Sequence, residues 1–214
     1  MTGRVLRSSA DHRSYPAGVD RRTGANRNDE EPPADFVAAV ESLRRVKLRP
    51  EIIVGQTPAP KRMAPFTFAL TADVTDDAAT GRLVLLHDPD GQEAWHGDFR
   101  LVTYVRAALE PDIAVDPFLP GVGWAWLTDA LAGQGARYTA PSGTVTRVAS
   151  ESFGGMADEP PTADIEIRAS WTPLERDMTP HVLAWGEVLT TAAGLLPLPA
   201  GVVAIPSQRG ATRR

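Results

Sequence analysis

The sequence predicts a single α+β domain, an antiparallel sheet of about five strands with helices packed on one face, in the order α-β-β-β-α-β-β-α. Three observations carry that expectation. Arg82–His87 and Phe99–Ala107 are strand-like runs on either side of Asp88-Pro89-Asp90-Gly91, the pattern of an antiparallel hairpin. Phe66, Phe68, Leu70, Ala72 and Val74 alternate with small or polar residues, as do Ile165, Ile167, Ala169 and Trp171, so each strand covers a core with one face. Three stretches with apolar residues at helical spacing lie before, between and after these strands.

The elements follow in order. Pro33-Ala34-Asp35 opens a helix whose stripe is Phe36, Val40 and Leu43 with Val37 and Val46; Arg44, Arg45, Lys47 and Arg49 suit its carbonyl end, and Pro50 stops it. Glu51–Pro60 reads as extended, and Pro58, Pro60 and Pro65 keep any strand there short or at an edge. The strand from Phe66 to Val74 ends at Asp76-Asp77, and the hairpin follows. In it Pro89 presets a type I turn and Gly91 takes a left-handed position. On the return strand Phe99, Leu101, Thr103, Val105 and Ala107 share a core face; Arg100, Val102, Tyr104 and Arg106 share a mixed one. Leu109–Pro120 is a proline-punctuated connection to a short helix, Gly123–Leu131, ending near Gly133 and Gly135. Thr144–Ser152 and Asp164–Trp171 are the next strands. Thr179-Pro180 supplies a cap and a first-turn proline for the last helix, with Val182, Trp185, Val188, Leu189 and Ala192 inward up to Gly194. Leu195–Pro206 reads as an apolar strap. Residues 1–31 and 207–214 read as disordered tails around a domain of 32–206, the first with six arginines against two aspartates in its opening 28 residues. The element order is similar to that of the small dimeric chaperones of type III secretion, an analogy of order alone.

Composition bounds the function. A chain of 214 residues, 43% hydrophobic, can build one core, and no stretch approaches the ~20 apolar residues of a membrane span. No apolar core of a signal peptide precedes Asp11 and there is no cysteine, so a cytoplasmic location is expected, without thiol nucleophiles or thiolate metal sites. A net charge of −5 argues against a general nucleic-acid binder.

Candidate chemistry is sparse. His87 and His96 flank the turn with carboxylates nearby, but in no recognised ligand spacing, and no metal site or cofactor is expected. Glu151-Ser152-Phe153-Gly154-Gly155 brings a strand into a glycine pair whose N–H groups suit an anion nest, yet Ser152 lacks the nucleophile elbow, and a bend between two paired strands explains the glycines equally. Gly121-Val122-Gly123 fails as a dinucleotide fingerprint because no strand precedes it. Arg100, Tyr104 and Arg106 leave one face of one strand and Arg168 leaves the polar side of another, with Arg147 a weaker member. They make either a basic, aromatic-bearing face for a carboxylate, a phosphate or an acidic partner, or a set of cross-strand pairs with Asp164 and Glu166. The leading expectation is a non-enzymatic binding or adaptor module with a protein partner and a possible homodimer. The alternative is a hydrolase-like or metal-dependent enzyme built on His87 and His96 or on Ser152.

Several segments carry a resemblance: Leu48-Arg49-Pro50-Glu51, Pro58–Pro65, Gly81–Pro89, Phe99–Ala107, Gly143–Val148 with Glu151–Gly155, and Glu166–Leu174. Over about Phe36 to Ile205 they resemble the actinobacterial family known as domain of unknown function 3000. The resemblance implies a bacterial cytoplasmic protein and brings no established activity or catalytic residue. It adds one associational pointer, toward RNA metabolism, because such proteins are often encoded near a ribonuclease D-like exonuclease.

Overall fold

Alternation along the strands decides which way the sheet faces, and the helices follow it. A computed structural model describes residues 31–196. The predicted tails and strap lie outside the described residues except for Glu31, Leu195 and Leu196. The elements are α1 (Ala34–Arg45), β1 (Ile52–Gln56), β2 (Phe66–Val74), β3 (Ala79–Gln92), β4 (Gly97–Leu109), α2 (Pro111–Ala114), α3 (Leu119–Gly133), β5 (Tyr138–Ser150), β6 (Thr162–Pro173) and α4 (Thr179–Ala192). The strands form one antiparallel sheet of six in the order β1-β2-β3-β4-β6-β5. The sixth strand is β1, five residues long and at an edge, as the prolines after it require.

On the face holding Phe68, Leu83, Leu85, Leu101, Val105, Ile165, Ile167 and Trp171, every one of these side chains is buried and packs into one cluster with α1, α3 and α4. Full burial of each such side chain stabilises by ~1.5–3 kcal/mol, so this face holds the helices in place. Gly81 lets α4 come close: a Cβ there would sit 2.7 Å from Leu189 and 3.1 Å from the Trp185 ring. Ser42 ties α1 to the start of α4 by donating to the Ala39 carbonyl (2.7 Å) and accepting the Met178 amide (2.9 Å). The N-cap of α4 is Met178 in place of the expected Thr179, and the Asp177 carboxylate before it accepts the Thr179 amide (3.0 Å).

Three local expectations are corrected. Asp88–Gly91 does not reverse the chain. The Asp88 carboxylate accepts the Asp90 amide (3.3 Å) and the Gln92 side chain (3.1 Å), which kinks the strand, and Gly91 (φ +72°) sits in a register shift between His87 and Gln92. The reversal comes later, in a single 3-10 turn over Glu93–Trp95 closed by His96 at φ +58°. Helix α3 begins at Leu119, before Gly123, because a proline such as Pro120 fits a first helical turn. Strand β5 begins at Tyr138, before Thr144; Pro141 is tolerated since β5 is an edge strand with a register shift between Thr139 and Ser142.

Candidate groove on the uncovered sheet face

Among the described residues the other face of the sheet carries no helix. Over β2 and β3 it is covered by the segment 57–65: Ala69, Val84 and Leu86 pack with Ala59, Ala64, Trp95 and Val102, and Arg82 donates to the Pro58 carbonyl (2.7 Å). Beyond that cover, toward β4, β6 and β5, the face is open. A groove of about 510 Å³ lies there, with Val84, Val102 and Tyr104 in its floor and Arg82, Ser142, Thr144, Arg168 and Ser170 around it. A second hollow of about 430 Å³, bordered by Met63, Leu86, Trp95 and Arg100, shares Val102 and Ser170 with the first. The two form a trough across the strands.

Of the predicted binding residues, Tyr104 and Arg168 line the groove, Arg100 lies beneath it and Arg106 stands beside it. Their contacts are mostly the cross-strand pairs. Tyr104 pairs with Arg168 and Arg106 with Glu166 in the register. The Tyr104 hydroxyl donates to Glu166 (3.0 Å), Arg168 bonds Glu166 (2.7 Å) while stacking 5.0 Å over the Tyr104 ring, and Arg106 bonds Asp164 (2.7 Å). Burial, helped by the Glu166 hydrogen bond, pushes the Tyr104 phenol up, and the Asp164 bond holds Arg106 above its ordinary value.

Arg100 departs from expectation. It is 6% exposed and therefore not a surface group. Its guanidinium donates to the Ala140 carbonyl (2.8 Å), Thr172 Oγ1 (3.0 Å), Ser142 Oγ (3.1 Å), and Ser170 Oγ (2.8 Å) and carbonyl (3.3 Å). All are neutral acceptors. Among the described residues it forms no ion pair, and burial pulls its pKa below the ordinary arginine value although arginine stays charged at any working pH. Ala140, at φ +48°, holds a backbone conformation costing a non-glycine residue ~1–2 kcal/mol, and that bend turns its carbonyl to Arg100.

The remaining candidates lie elsewhere. Arg147 crosses to the helix face and donates to the carbonyls of Ala114 (3.2 Å) and Asp116 (2.7 Å). Ser152, Gly154 (φ +63°) and Gly155 lie at the β5–β6 hairpin tip, where the Met156 and Ala157 amides donate to the carbonyls of Phe153 and Gly154. His87 and His96 do not converge. His87 is buried among rings, 4.1 Å from Phe99 and 5.9 Å from Phe36, with Nδ1 3.0 Å from the Asp98 carbonyl, whereas His96 is exposed at the turn. No group of three or more His, Asp or Glu side chains suited to a metal occurs among the described residues. Arg82, Val84, Ser142 and Trp95 were not singled out in the sequence; the alternation of Arg82, Val84 and Leu86 with the core residues of β3 was the signal available for the first two.

Fold and groove together define an antiparallel α+β module with one helix-covered face and, among the described residues, one face that carries no helix and holds a trough. The chain belongs to the family described as "Protein of unknown function (DUF3000)", which matches residues 32–203. No curated protein and no solved structure matches it. No described helix is long and apolar enough to cross a membrane.

Proposed function

We propose that the protein is a non-enzymatic binding module and that its ligand lies in the trough on the uncovered sheet face. The observation that carries this is the continuity of the two hollows across Val102 and Ser170, from Trp95 and Met63 to Tyr104 and Arg168. An apolar floor with a few oriented polar groups at its margin is the usual make-up of a small-molecule site. The neutral dye N-phenyl-1-naphthylamine tests it. Saturable fluorescence enhancement by the full chain is expected, with affinity at least about tenfold weaker in Val102→Trp and in Thr144→Trp, each placing an indole in the trough while the thermal midpoint is retained. No saturable response from the wild type, or equal affinity in both folded variants, refutes the reading.

The adaptor role has separate support in β5. Among the described residues its outer edge pairs with no strand over Tyr138–Ser150, an offer of backbone hydrogen bonds to an extended partner segment or to a second copy. A cytoplasmic location and a link to RNA metabolism stay as parts of the same proposal, supported by composition and by the family resemblance.

A further inference from the structure

The Arg100 cluster dictates what one end of the ligand must be, provided the trough is the binding site. Ser142 Oγ and Ser170 Oγ each accept a hydrogen bond from the guanidinium, at 3.1 Å and 2.8 Å, and lie 3.3 Å from one another. A hydroxyl has one hydrogen to give. If one serine donates to the other, the second hydroxyl hydrogen is left over; if the long mutual contact opens, both are. One lone pair of each oxygen is engaged by a cation, which leaves the hydroxyl hydrogen polarised to donate, and both residues border the groove. Arg100 itself, nine-tenths buried and bonded only to neutral oxygens, contributes a positive charge that no described carboxylate compensates. The wall between Val102 and Thr144 thus offers one hydroxyl donor, or two once the serines part, backed by a fixed cation and beside an apolar floor.

We propose that Ser142 and Ser170, held by Arg100, form the head-group site for a single-tailed carboxylate whose chain lies over Val102 and Val84. Arg100 calls for an anion, as does Arg82 on the same groove, bonded to the Pro58 carbonyl and to no carboxylate among the described residues. Two adjacent hydroxyls that both donate once their mutual contact opens meet the two oxygens of a carboxylate. Arg168, already paired with Glu166, borders the site.

Decanoate, decanol and decyl phosphate test this by displacing N-phenyl-1-naphthylamine from the full chain. Decanoate is expected to bind about tenfold or more tighter than decanol, because hydrogen bonds to an ionised group are roughly twice as strong as neutral ones, and decyl phosphate no tighter than decanoate, because two hydroxyl donors leave its further oxygens unmatched. The preference over decanol disappears in the Ser142→Ala/Ser170→Ala double variant. It also disappears in the wild type once decanoate is protonated, a readout needing no variant. Equal displacement by decanoate and decanol overturns the head-group site while leaving the trough intact. Tighter binding of decyl phosphate overturns the carboxylate assignment. A dye that never binds refutes the trough itself.

Discussion

Replacing Arg100 and Arg106 separately by glutamine separates a buried role from a surface one on the same strand. Arg100→Gln removes five hydrogen bonds from a guanidinium that is 6% exposed. Each bond from a charged donor contributes roughly 1.5–3 kcal/mol, but removing the cation also recovers several kcal/mol of desolvation, so the net loss is about 2–4 kcal/mol. In a domain of this size each kcal/mol moves the thermal midpoint by roughly 2–4 °C, giving a fall of about 10 °C. Arg106 has a side chain 54% exposed and one ion pair, with Asp164. Arg106→Gln should cost at most ~1 kcal/mol, less in high salt. Urea unfolding of both variants, with thermal scans alongside, measures the difference. Equal losses, or an Arg100→Gln protein within ~1 kcal/mol of wild type, would show that the buried network does not hold β4, β5 and β6 together.

Two further outcomes are expected. His181 is fully buried and its Nδ1 accepts the Trp171 indole N–H (3.1 Å); burial lowers its pKa to about 4 despite the opposing Asp177 charge. Between about pH 6.5 and 4 the unfolded chain takes up a proton that the folded one refuses, so stability is full above about 6.5 and falls by up to ~3 kcal/mol toward pH 4. Subtracting the urea-unfolding free energies of His181→Gln from those of wild type should isolate this slope, and identical pH profiles would disprove it. Gly143→Ala brings a Cβ against the Arg168 carbonyl and within 2.8 Å of the Trp124 ring, a clash expected to cost at least ~1–3 kcal/mol by differential scanning calorimetry; a midpoint unchanged from wild type would count against this close packing of β5, β6 and α3.

Elements with a strict period were legible in the sequence. The span of β2 was read to the residue, the inward faces of β4 and β6 follow from alternation, and the stripe of α4 follows from helical spacing. What escaped reading depended on contacts distant in the chain. Asp88-Pro89-Asp90-Gly91 has the residues of a reversal, yet the Asp88 carboxylate spends them on a kink. Arg100 alternates like a surface residue, and only the approach of Ala140 from β5 and of Thr172 from β6 covers it. The groove was half visible. Tyr104 and Arg168 were named from one strand each, but Ser142 lay before the predicted start of β5.

The placement of β6 between β4 and β5 has a consequence for a chain emerging from the ribosome. Strands β1 to β4 form a meander of neighbours in sequence, and each hairpin can close as soon as it is made. The outer edge of β4 must then wait, because α2, α3 and β5 are all synthesised before the strand that pairs with it, and Leu101 meets Trp171 only then. During that interval β4, an interior strand of the finished sheet, is a bare edge flanked by Phe99, Leu101 and Val105, whose helical cover from α3 and α4 is also incomplete. Wrong edge-to-edge pairing with another nascent chain is therefore most dangerous in this window, and it closes when β6 arrives and makes β5 the boundary of the sheet.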